Sequence, residues 1–325
     1  AEPFSIHIVE VNPDKLTIAA ERALGKGIGR ETVSSIAKRM RAVVAVNGGF
    51  FRIGGDYDGE PLGVLKIGPD WFSEPGLPRA ALGWSEGGGS VLIDRLTMRW
   101  SLSVDGTVFP VSGINRPRGI KDSIIFTGNF NGSTLTSSTG TEVIVDSGVV
   151  ERIRSGGDSS IPQNGFVFSV GKCVGVDLGN ISPGDVAKVS WEFSAPEQPS
   201  DPWESMEFLV GGTPLLLREG EIIRDFGPEK VPENFVNQRH PRTAVGIRAD
   251  GTWVFVVVDG RRPTISVGMT LSELAQLMKS LGCKDALNLD GGGSSTLYLY
   301  GQVVNIPSDL AGERPVSDAI LVMPK

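Results

Sequence analysis

Twice in its 325 residues the chain runs an amphipathic helical stretch into a short apolar strand that stops on an amide or an acid followed by glycines. In ETVSSIAKRM, Val33, Ile36, Ala37 and Met40 recur at helical spacing, and AVVAV then leads into Asn47, Gly48, Gly49, Phe50 and Phe51. In the second unit Thr270 and Glu273 spell a capping box, and Leu271, Leu274, Ala275, Met278 and Leu281 form one face. Gly282 suits the stop, and ALNL delivers Asp290, Gly291, Gly292, Gly293, Ser294 and Ser295. Strand ends of this kind present functional groups at the edge of a sheet. The two units therefore predict two walls of one cleft.

Between them, from about residue 85 to 205, short strand-like pieces alternate with turn signals at Asp105-Gly106, Asn131-Gly132, Ser147-Gly148, Asn164-Gly165 and Pro183-Gly184. No strong helical period runs through this stretch, which predicts a β-rich subdomain or an elaboration of the same sheet. SAPEQPSDPWES, 194 to 205, reads as a loop or linker. Dense apolar runs follow, and the β-branched run in TWVFVVVDGR favours a central strand. The expected fold class is α+β, with mixed, largely antiparallel sheets, a few flanking helices and the β-rich middle.

Lys and Arg total 31 against 38 Asp and Glu, a net charge of -7, and no basic block is interleaved with aromatics. A reader of phosphate backbones needs such a block, so nucleic acid is not an expected partner. No apolar window approaches the ~18 residues that a membrane-spanning helix requires. The first residues, AEPFSIHIVEV, carry no basic and apolar leader, as in a mature secreted, periplasmic or envelope protein. Cys173 and Cys283 could pair, but two isolated cysteines more naturally read as free, buried thiols.

The glycines after Asp290 could turn backbone N–H groups toward an anion, or simply make a tight turn. A carboxylate before them and the Ser294 and Ser295 hydroxyls after them give the composition of a reactive site. In NQRHPRTAVGI, Pro241 extends the chain at His240, so His240 and Arg242 project to the same side. An arginine that grips phosphate by two prongs, beside a titratable imidazole, suits an anionic group. Asn47, Gly48 and Gly49 offer an amide and close approach, and Phe50 and Phe51 a surface for a sugar ring, though they could equally be core. Glu313, Arg314, Ser317 and Asp318 gather in one polar loop, and Asp259 with Arg261 follows the apolar strand; either could be a solvated turn. The chain has only His7 and His240 and no HExxH or CxxC, so no metal or other cofactor is called for.

Taken in order, NGGFF, VGGTPLLL, HPRTAVGI, the GMTLSELAQLMKSLG helix, NLDGGGSSTLYL and GERPVSDAIL resemble the phosphodiester glycosidase family over about residues 40 to 323. Without the cysteine-rich modules that follow the catalytic part in animal members, the chain looks like a bacterial one. The resemblance implies a single catalytic domain over 1–325 that hydrolyses the C1–O bond of a sugar-1-phosphodiester, with exopolysaccharide among the expected substrates. On it, Asp290 would be the acting carboxylate, with Asp318, Glu313 and Asp259 as rivals. Arg242 and the glycines would hold phosphate, His240 would bind it or relay a proton, and Phe50 or Phe51 would face the sugar. A non-catalytic polysaccharide-binding protein and a glycosidase acting on anionic polysaccharide remain alternative readings of the same residues.

Overall fold

A computed structural model describes residues 2–86, 90–195 and 201–325. Two antiparallel sheets stack at its centre. The first runs in the order Ile6–Val11, Trp253–Val258, Arg242–Arg248, Cys283–Asn288, Leu215–Arg218, Glu221–Ile222. The second runs Leu16–Arg22, Asp318–Pro324, Val44–Asn47, Leu297–Leu299, Gln302–Val303. Val44, Val46, Ile320 and Val322 of the second interdigitate with Val245, Phe255, Val257 and Leu287 of the first in one core.

Each sheet is covered outside by one of the two anticipated helices. Leu271, Leu274, Ala275 and Met278 of the helix Leu271–Ser280 pack on Ala244, Val254, Val256 and Ala286. Val33, Ile36 and Ala37 of the helix Val33–Met40 pack on Ala45, Ala319 and Leu321. The result is helix, sheet, sheet, helix. Strands in the inner layers have no wet face, so Trp253–Val258 is buried at all six positions and reads as an unbroken apolar run. The Thr270–Glu273 capping box forms as expected, and Gly282 takes the left-handed conformation after the helix.

The middle of the chain supplies two further sheets and, among described residues 90–195, no helix. The long strand Val91–Val104 pairs with Arg79–Trp84, Thr107–Val111 and Ala187–Ser194. The other sheet contains the sole parallel pair among the described strands, Gly113–Ile114 beside Ser123–Thr127. Two of the turn signals become two-residue hairpin turns with both φ positive, at Asp105 (44°) and Gly106 (83°) and at Ser147 (51°) and Gly148 (79°). Helices are thus minor, and the fold is mainly β rather than an even α+β mixture. Of the expected linker, residues 196–200 lie outside the described residues, Ser194 ends a strand, and Asp201–Glu204 is a short helix.

Both cysteines are free. Cys283 is buried, and burial pushes its thiol up to about 11. Cys173 is exposed, against the expectation that both would be buried, because in its loop Val174, Val176 and Leu178 take the places against the apolar cluster.

Candidate active site

The two walls meet where the stacked sheets end. Asn47, the last residue of Val44–Asn47, is fully buried and engages both ends of its amide. Its Nδ2 donates to the Asp290 carbonyl (2.8 Å), while its Oδ1 accepts from the Thr243 hydroxyl (2.8 Å) and the Thr296 N–H (3.2 Å). Asp290 N–H donates in turn to the Gly48 carbonyl (3.1 Å). Strand ends from both sheets are joined at one point.

Two carboxyl groups flank that joint. Asp318 is buried, its Oδ1 accepting from Gly49 N–H (2.9 Å) and its Oδ2 from the Ser317 hydroxyl. Glycine at 48 leaves room for this carboxyl, since a Cβ there would stand 1.9 Å from Asp318 Oδ1. Burial raises the Asp318 carboxyl above its usual range. Asp290 is half-buried and is pushed up to about 6. Desolvation is the main cause, reinforced by the like charge of Asp318 and opposed by the Ser294 hydroxyl, the Gly291 N–H and Arg314. The Ser294 hydroxyl exerts this pull without reaching hydrogen-bond geometry, and Ser294 Oγ, Ser295 Oγ and Thr296 Oγ1 are all buried with no protein partner.

Around the acids stands a cationic rim. An added Cβ at Gly292 would lie 3.0 Å from Arg261 Nη2, and one at Gly293 would lie 2.2 Å from Arg314 Nη2, so both guanidinium groups lie against the glycine turn. Arg261 is exposed, and Arg314 is steadied by Asp309 at 2.7 and 2.9 Å. His240 sits one residue from Pro241, whose carbonyl accepts from Gly292 N–H (2.9 Å). Burial, then Arg242 and Arg261, hold the imidazole below its usual pKa, favouring the neutral ring, and its Nδ1 is buried without a partner.

Known proteins share this sequence pattern and fold. The family model for phosphodiester glycosidase matches residues 139–323. The chain belongs to the phosphodiester glycosidase family. It is 30% identical to an uncharacterized protein of Rickettsia conorii, over 69% of this chain and 77% of that protein. It is 31% identical to mouse N-acetylglucosamine-1-phosphodiester alpha-N-acetylglucosaminidase over 46% of this chain, spanning only 33% of the mouse protein. Solved structures from Synechocystis (TM-score 0.86, 59% of that chain covered) and from Burkholderia pseudomallei (0.85, 74%) each align with 99% of this chain at 25% identity; the name of the second suggests export. As a phosphodiester glycosidase the chain is a member of a family of glycosidase-type hydrolases.

Within this family member the residues singled out by sequence divide sharply. Asn47, Gly48, Gly49, Asp290, Asp318, His240 and the run Gly291 to Ser295 converge. Arg242 does not offer a two-pronged grip. It is fully buried, with Nε donating to the Met269 carbonyl (3.0 Å) and Nη2 to those of Phe235 (2.8 Å) and Gln238 (3.1 Å), and only Nη1 is left unpartnered. Desolvation brings it down to about 10. Arg242 and His240 do share a side, since both lie against the Phe235 ring.

The expected nest of backbone donors is likewise largely spent within the protein. Gly291 N–H bonds Asp290 Oδ1, Gly292 N–H the Pro241 carbonyl, and Ser294 and Ser295 N–H the carbonyls of Gly291 and Gly292, a short 3-10 turn. Glu313 accepts from Ser34 N–H (2.7 Å) and hydroxyl (2.6 Å), capping the helix Val33–Met40. Asp259 is buried under Ser5, His7, Asn305 and Ile306; burial would raise it, but these donors outweigh that and hold it low. Both carboxylates serve structure. Phe51 is core, whereas the half-buried Phe50 borders a hollow of about 180 Å³ with Phe235, Arg79 and Lys230.

Sequence reasoning gave no phosphate-binding role to three cations. Arg261 and Arg314 stood in polar groups with Asp259 and with Glu313 and Asp318, but only the fold brings both onto the glycines. Arg22 gave no signal. It lies opposite Asp318 in the strand register, buried, with Nε and Nη2 unpartnered and its charge felt by Asp318.

Proposed function

We propose that this chain hydrolyses the C1–O bond of a sugar-1-phosphodiester, releasing free sugar and a phosphomonoester, with Asp290 as the acting carboxylate. The observation that carries the reading is Asp290 itself. An acid held at about 6 beside a second buried acid, under a rim of Arg261, Arg314 and a neutral His240, is tuned for work near neutral pH. Ionised Asp290 would activate water or stabilise the oxocarbenium-like centre at C1, with buried Asp318 as the second carboxyl beside it. Arg261 and Arg314, rather than Arg242, would take the phosphate oxygens, and Phe50 would meet the sugar.

The leaving group explains why one prominent acid suffices. A phosphomonoester has a second pKa of about 6 and departs without a proton at neutral pH, whereas an alkoxide needs a positioned acid. N-acetylglucosamine is the sugar to try first, from the name of the mouse relative, and the name of the Burkholderia protein supports export. The test is a paired assay of one sugar as phosphodiester and as alkyl glycoside. Faster turnover of the diester, with competitive inhibition by free phosphomonoester, is expected. Equal rates without inhibition would sink the proposal.

A further inference from the structure

A cavity of about 510 Å³ lies far along the chain from the glycine turn, in the β-rich middle, between the long-strand sheet and the sheet built on Ser123–Thr127. Its walls include Trp71, Trp100 and Trp191, whose ring centroids are 5.3–5.4 Å apart in pairs. Such a volume falls within the ~300–1,000 Å³ of small-molecule sites.

Two features say that a ligand belongs there. Trp71 and Trp100 are each only 7% exposed, yet both indole N–H groups are buried without an acceptor. Buried indole N–H groups ordinarily find partners, and leaving one unpaired costs about 1–3 kcal/mol. Trp191, directly opposite Trp100 in the strand register, is 42% exposed and leaves part of its ring open beside the cavity it helps to line.

The rest of the lining defines the ligand. Asn129, Gln163 and Asn164 bring amides, each carrying a donor and an acceptor in one plane. Asp70 and Lys188 at the rim offset each other, so the cavity selects for no net charge. A pyranose ring has apolar C–H faces that pack on indole and an edge of hydroxyls that pair with amides and indole N–H groups.

We propose that the Trp71–Trp100–Trp191 cavity is a second, non-catalytic carbohydrate site that holds a neutral pyranose unit of a longer glycan. Asn129 ties it to the rest of the molecule, for its carbonyl accepts from Arg22 Nη1 (3.3 Å), the arginine whose charge reaches Asp318. A polymer held here stays attached to the enzyme without taking part in bond cleavage.

Calorimetric titration with tetrasaccharides of glucose, galactose and N-acetylglucosamine tests this on the full chain. At least one should bind saturably, Trp191→Ala should weaken it at least tenfold, and Asn164→Ala should weaken it measurably. Both residues are exposed, and although Trp191→Ala gives up ring contacts with Trp71 and Trp100, both variants should keep the wild-type circular dichroism spectrum. Turnover of a short glycosyl phosphodiester is the independent readout and should be unchanged in Trp191→Ala. No saturable binding by wild type, or undiminished binding by a folded Trp191→Ala, overturns the proposal. Loss of short-substrate turnover in that variant would place the cavity within the catalytic site and overturn it as a second site.

Discussion

Asn47 and Asp290, 243 residues apart in sequence, are joined by a 2.8 Å hydrogen bond from the amide of one to the carbonyl of the other. This bond fixes the height of Asp290 relative to the Gly48–Gly49 turn that cradles Asp318. Asn47→Ala would strand the Asp290 carbonyl, the Thr243 hydroxyl and the Thr296 N–H in the core. A loss of about 1–3 kcal/mol for each group left without a partner is expected, with a parallel fall in turnover, read by denaturant unfolding and by assay. Unchanged stability would mean that the three partners find water.

Gly48→Ala tests Asp318 without altering it. The new methyl would occupy the position of Asp318 Oδ1, so the carboxyl must swing out of its bond to Gly49. Turnover should fall by at least about tenfold, with most of the secondary structure kept by circular dichroism. Normal activity would remove Asp318 from the mechanism.

For Asp290→Asn the expected loss of turnover exceeds about a hundredfold, the scale of an acid-base group. In the wild type, turnover should rise as pH passes through about 6, where the carboxyl ionises. Stability should behave in the opposite sense. A carboxyl raised in the folded state favours folding fully only below its unfolded value near 3.8, and that contribution is lost as pH climbs through about 6. Asn at 290 should therefore raise the melting temperature relative to wild type at pH 8 and not at pH 3. A variant equally affected at both would show that burial of Asp290 carries no charge penalty.

Arg261→Gln should raise KM for a phosphodiester while leaving the melting temperature unchanged, because Arg261 is exposed and its one bond, to Ser308, is long at 3.4 Å. The same variant should lose less affinity at high salt. An unaltered KM would shift phosphate binding to Arg314 and His240.

Arg242→Lys should lower stability more than it alters substrate affinity, since an ammonium cannot reproduce Nε and Nη2 bonds to three separate carbonyls. Comparing the melting temperature with KM decides this. A stable variant that has lost phosphodiester binding would return Arg242 to the substrate.

The sequence made some of this legible because local pattern and tertiary role coincided. The Thr270–Glu273 cap, the two helices, the strand ends and the meeting of Asn47 with Asp290 all follow from periodicity and from glycines placed where backbone must approach backbone. What spacing cannot show is competition for a donor. His240 and Arg242 do share a side, yet whether the guanidinium faces a ligand depends on carbonyls at Phe235, Gln238 and Met269. The N–H groups of the glycine turn were likewise claimed by Pro241 and by the turn itself. Glu313 looked reactive because it neighbours Arg314, but a helix start at Ser34, distant in sequence, takes both its oxygens.

The acids and the cations are mounted differently, and that difference bears on how such a protein can diversify. Asp290 and Asp318 are locked to strand ends inside a four-layer stack, whereas Arg261 and Arg314 are carried by the segments after Val258 and before Asp318. Replacing those two segments would change which aglycone is welcomed while the bond-breaking groups keep their alignment. Libraries confined to 261–265 and 307–314, with Glu313 retained for its bonds to Ser34, should yield new selectivities at little cost in folding, and a lineage exploring new polymers could travel the same route.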